Sequence, residues 1–259
     1  MIIIGSSAIK HHYSDFKREP KDLDVILESS NENIKDYFIN ETPNKKVEIL
    51  KNTVILNYYR GNGYLPSNLL TTLKASHLCW DVNWEKHMFD LQFLLKKGNK
   101  IDFELFKELY EYWNTVHSKN KRSDLKMSKE DFFNNAINYD YLEHDEIHKI
   151  LNSIPIYSKC LKDGKEVELD ENKFYNLSYE DKLEFIREEI YVMSYERYKE
   201  LGYKRAYNRM LKKFILSHAP FWSLIFIFEN YIELQKCTKN FIKEIENGIR
   251  IRKSEFNTI

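Results

Sequence analysis

The chain has 259 residues, 31% of them charged, with 40 basic and 40 acidic side chains and a formal net charge of zero. That length buries a substantial core as one large domain or two small ones, and the balanced charge removes any global electrostatic case for gripping nucleic acid. Only 7 Gly and 5 Pro argue against disorder and against a turn-rich β-sandwich, and Cys79, Cys160 and Cys237 stand too far apart for a zinc ribbon or disulfide framework, which fits a reduced, cytoplasmic protein.

The first predicted element is an apolar strand over residues 2–4 that runs into Gly5-Ser6-Ser7. A second strand over 22–27 carries Asp22 and Asp24. Further strands are predicted at 46–50 and 53–58, joined as a hairpin by the tight Asn52-Thr53 connection, with a helix near 31–39 before them. Gly61-Asn62-Gly63 is the strongest punctuation and is expected to close an α/β head over 1–63.

Beyond it the apolar period becomes helical. Helices are predicted from Pro66 through Leu78, over 83–96 with Gly98 as a stop, over 102–117 and near 128–137. Asp163-Gly164, flanked by alternating segments, predicts a β-hairpin near 157–169. Helices over 178–200, 204–217 and 220–247 complete a body over 64–259, expected to pack as one unit. The most apolar run, Phe214 to Phe228, contains His218 and Pro220 and is too short to span a bilayer, so no membrane association is expected. The predicted class is α+β: a small mixed-sheet head, a large helical body and one hairpin insertion.

The chemistry concentrates in the head. Asp22 and Asp24 are two apart on an extended strand and therefore project from one face. Aspartate is disfavoured in strands, and Leu23, Val25 and Ile26 mark this one as at least half buried. Two convergent carboxylates beside a glycine turn, whose backbone N–H groups can hold phosphate oxygens, suit metal-dependent phosphoryl transfer.

The order of apolar strand, Gly5-Ser6-Ser7-Ala8 and Lys21-Asp22-Leu23-Asp24 resembles the nucleotidyltransferase-fold superfamily, which includes polymerase beta, and in particular nucleotidyltransferase-like proteins of large bacteriophages. The motif covers about the first quarter of the chain. The resemblance implies that Gly5 and Ser6, with Ser7, cradle nucleotide phosphates, and that Asp22 and Asp24 ligate Mg²⁺ (or Mn²⁺). It also implies a third carboxylate on the next strand, for which Glu48 is the candidate, and a lysine on a following helix that holds the triphosphate, for which Lys74 is the candidate. The activity so implied is nucleotide transfer from a nucleoside triphosphate to an unidentified acceptor, whether nucleic acid, protein or small molecule. Ser7 stands where the phage-like pattern commonly carries a basic residue, which keeps open a catalytically degenerate scaffold used for binding or inhibition.

A rival chemistry comes from the histidines. His77, His87, His117, His144 and His148 all fall between residues 77 and 148. His87 and Asp90 share a helix face, as do His144 and His148 with Asp145 between them. Imidazole and carboxylate at these spacings suit metal ligation or acid–base work. His144-Asp145 resembles the HD phosphohydrolase pattern, with His117 as the upstream ligand, but the downstream aspartate of that pattern is missing. The alternative activity is therefore a metal-dependent nucleotide phosphohydrolase.

Overall fold

The structure is a computed structural model of the chain and describes residues 1–27, 46–80, 84–119, 157–160, 166–195 and 198–237. The class is α+β. The chain separates into two compact units, Met1–Lys119 and Asn120–Ile259. The boundary expected at 63/64 thus moves to 119/120, and the expected helical body of 64–259 is not one unit. Its first three helices belong with the sheet, because their apolar faces complete the sheet's core.

In the first unit β1 (Ile2–Ile3), β2 (Asp22–Ile26), β3 (Lys46–Leu50) and β4 (Gly63–Tyr64) form one sheet in the order β3-β2-β1-β4. β1 runs antiparallel to β2 and parallel to β4, and β2 runs parallel to β3. The period of two sorts the side chains. Ile3, Leu23 and Val25 pack together on one face, with Met1, Val47 and Tyr64 against them. Ile2, Ile4 and Ile26 join the main core with Ala8, Ile9 and Phe16. Asp22 and Asp24 alternate with Leu23 and Val25, which puts them on the face that Ile26 shares with the helices.

Helix α1 (Gly5–His12) follows β1 directly, where a turn was expected. The segment Thr53–Tyr58, expected as a strand hairpinned to 46–50, is helix α2. Its β-branched residues mimic a strand, but the buried Asn52 side chain accepts the Ile55 N–H at 3.0 Å and caps a helix that buries Ile55 completely. Gly63 does not end the unit either. It enters the sheet with φ +90, and its N–H donates to Met1 O at 3.0 Å.

Helices α3 (Ser67–His77), α4 (Trp84–Lys96) and α5 (Phe103–Lys119) form close to the predicted spans. Gly98, with φ +86, stops α4, its N–H donating to Leu95 O at 2.9 Å. Asp102 accepts the Leu105 N–H at 2.9 Å, and its own N–H donates to Thr72 Oγ1 at 3.0 Å, which ties the start of α5 to α3. α3 packs against α1, α4 and α5, carrying Leu70 and Leu73 into the core beneath the sheet.

In the second unit the hairpin is present as β5 (Tyr157–Cys160) and β6 (Glu166–Leu169), antiparallel, with Cys160 opposite Glu166. α6 (Glu171–Asn176) was not foreseen. It is one short turn-rich helix capped by Asp170, which accepts the Lys173 N–H at 2.8 Å. The helix expected over 178–200 is α7 (Tyr179–Tyr195) and α8 (Tyr198–Leu201), and α9 (Tyr203–Ser217) follows. The helix expected over 220–247 breaks at Asn230 into α10 (Phe221–Glu229) and α11 (Tyr231–Leu234), because the Asn230 side chain donates back to Phe226 O at 2.8 Å. No described helix is long and apolar enough to cross a membrane. The helices expected at 31–39 and 128–137, and the Asp163-Gly164 turn, lie outside the described residues.

Candidate metal centre

The site is built where β1 turns into α1. The Ile4 N–H donates to Asp24 O at 2.9 Å, which locks the end of the first strand to β2. Gly5 then adopts φ +69, and a Cβ placed on it would lie 2.1 Å from Asp24 Oδ2. Only glycine satisfies both conditions. The start of α1 therefore abuts the Asp24 carboxylate, and no acidic residue occupies its first turn. Ser6 is buried, and the Ser7 hydroxyl donates to Asp22 O at 3.2 Å.

The parallel register of β2 and β3 places Asp24 opposite Glu48. One carboxylate oxygen from each of Asp22, Asp24 and Glu48 lies within 4.8 Å of the others, and all three side chains are half-buried. Among the described residues this is the only set of three His, Cys, Asp or Glu side chains so close. Three hard oxygen donors with partial access to water match what Mg²⁺ or Mn²⁺ takes from protein. Burial, and then the neighbouring Asp22 charge, hold the Asp24 carboxyl above its ordinary range; Glu48 adds to this, and Lys74 and Lys86 oppose it.

Behind the carboxylates lies a buried ionic network. Asp90 on α4 is fully buried and accepts Arg18 Nε at 2.9 Å and Nη2 at 2.5 Å. Lys74 Nζ on α3 lies 3.0 Å from Asp90 Oδ2 and 3.3 Å from His87 Nδ1. Lys74 is 3% exposed. Burial pushes its pKa down, while the Asp90 charge pushes it up. The ammonium expected to reach a triphosphate is thus engaged inside the protein. The His77 ring lies 4.8 Å from His87 and 5.2 Å from Trp113, centroid to centroid. The structure therefore assembles His77, His87 and Asp90 of the histidine cluster, with Asp90 taken up by two cations. The His117 side chain and residues His144, Asp145 and His148 lie outside what is described.

Arg18 and Lys86 belong to this neighbourhood and were not singled out from the sequence. Arg18 sits in the loop between α1 and β2, 72 residues from its partner, and no local pattern announces such a pairing. Lys86 had a weak signal: it is one turn from Asp90 on α4, hence on the same face.

Residues 69–247, well over half of the chain, match the family model described as Domain of unknown function (DUF7275), and the chain belongs to that family. The match takes in Lys74, His87 and Asp90 and begins after Asp22, Asp24 and Glu48. No curated protein and no solved structure matches the chain.

Proposed function

We propose that the protein is a metal-dependent nucleotidyltransferase that moves a nucleotide from a nucleoside triphosphate to an acceptor hydroxyl. The observation that carries this reading is the convergence of Asp22, Asp24 and Glu48 within 4.8 Å of one another, against the glycine start of a helix. The hydroxyl oxygen bonds to the α-phosphorus, the bond from that phosphorus to the α,β-bridging oxygen breaks, and pyrophosphate departs. Asp22, Asp24 and Glu48 would hold Mg²⁺ or Mn²⁺, which when bound acidifies the hydroxyl and offsets charge on the leaving group.

The chain's own residues supply the remaining parts. Backbone N–H groups in the first turn of α1 have no intrahelical acceptor and suit phosphate oxygens. Gly5 lets the phosphates come close because it carries no side chain there. The Ser7 hydroxyl already serves Asp22 O, so Ser7 offers its N–H. Lys74, engaged with Asp90, offsets phosphate charge through space. The three well-separated cysteines suit a reducing compartment, the cytoplasm.

The test is to incubate the protein with labelled nucleoside triphosphates, Mg²⁺ and total RNA, DNA and protein, beside the Asp24→Asn variant. Label should enter one acceptor class with the native protein only. Equal labelling by the folded variant would overturn the reading.

A further inference from the structure

Arg18, Lys74 and Asp90 come from three separate segments and meet on one fully buried carboxylate. A buried ammonium is tolerated only with a carboxylate partner, and Lys74 has two to choose from. Asp90 is in contact at 3.0 Å. Asp24 feels the Lys74 charge through space, and the two are brought near because α3 packs on α1, whose first residue touches Asp24. The Arg18 fork fixes the orientation of the Asp90 carboxylate. His87 Nδ1 lies within reach of a second Lys74 proton. All of these contacts direct the ammonium toward α4.

Resting on the reading that Asp22, Asp24 and Glu48 hold a divalent cation, we propose that Asp90 is a positioning residue that keeps the Lys74 ammonium off the Asp24 carboxylate. An ammonium on Asp24 takes the oxygen lone pairs that a cation needs and cancels the charge that attracts it. With Asp90 as its counter-ion, Lys74 stays a neighbour of the site instead of its occupant. Without Asp90, the nearest remaining charge of opposite sign is Asp24.

The experiment is Mn²⁺ titration of the full chain by calorimetry, without nucleotide, with folding checked by circular dichroism. Asp90→Asn should weaken Mn²⁺ binding about 10- to 100-fold, the range for residues that orient a ligand from behind. Lys74→Met in the Asp90→Asn background should restore binding, because the competitor is gone. Unchanged affinity in folded Asp90→Asn overturns the proposal, as does a double variant that stays weak. Should Asp90→Asn fail to fold, Lys74→Met alone decides: affinity at or above the native value supports the proposal, and weaker binding overturns it. Failure of the native protein to bind Mn²⁺ is a different result, which removes the metal-site reading itself.

Discussion

Gly5 and Asp24 are the two residues on which the site most depends. Gly5 has a positive φ and no room for a Cβ, with Asp24 Oδ2 in the way. Gly5→Ala should therefore cost about 1–3 kcal/mol, the range for a non-glycine residue held in that backbone region, read as a lower denaturant midpoint. It should also displace the Asp24 carboxylate and abolish the melting-temperature gain given by Mg²⁺. Asp24 has its pKa raised by burial and by Asp22, so the folded state binds its proton more tightly than the unfolded chain does. Stability from this group is then present at low pH and falls as pH rises from the ordinary aspartate value through the raised one. Asp24→Asn should remove that slope and leave the metal-free protein as stable as the native one, or more so, at pH 7. The same variant should lose the stabilisation that Mg²⁺ confers, which for a native site is ~2.7 kcal/mol at one hundred times Kd. Melting curves with and without Mg²⁺, across pH, check both expectations.

At the scale of elements, the segment after β3 shows how a cap overrides propensity. Thr53, Val54 and Ile55 are β-branched and favour strands, yet Asn52 caps them into α2 and Ile55 goes into the core. Tyr58 Oη donates to Glu108 at 2.8 Å, and the Tyr112 hydroxyl donates to Lys51 O, so α5 braces both ends of this helix. Asn52→Ala should cost about 1 kcal/mol by loss of the cap, measured by urea titration. Because Lys51 and Asn52 directly follow β3, a loosened α2 should also weaken Mg²⁺ binding through Glu48. The basic stretch of α9 illustrates the opposite outcome. Lys204, Arg205 and Arg209 are exposed, but Tyr207 is fully buried with its hydroxyl donating to Leu234 O at 2.6 Å. That aromatic belongs to the core of its unit and not to a base-stacking surface.

Across the whole molecule, the three carboxylates and the Arg18–Asp90–Lys74 network all lie within the unit Met1–Lys119. A fragment spanning that unit should fold cooperatively and show the same Mn²⁺-dependent shift in melting temperature as the full chain. A fragment that folds but shows no shift would place a necessary ligand in Asn120–Ile259. The family match, by contrast, spans parts of both units.

Local chemistry alone determined much of this protein. The period of two in β2 was enough to place Asp22 and Asp24 on one face, and the apolar spacing of α3, α4 and α5 was enough to find those helices, because both signals repeat within a few residues. The Asp-Gly hairpin was legible for the same reason. Other features depend on contacts between distant segments and left no local trace. The parallel pairing that sets Glu48 opposite Asp24 is one. The membership of α3–α5 in the sheet's unit is another, since an amphipathic helix does not say which face it will meet. Burial decided the roles of Lys74 and Asp90: with solvent excluded, each ammonium needs a carboxylate, and only the tertiary structure chose which one.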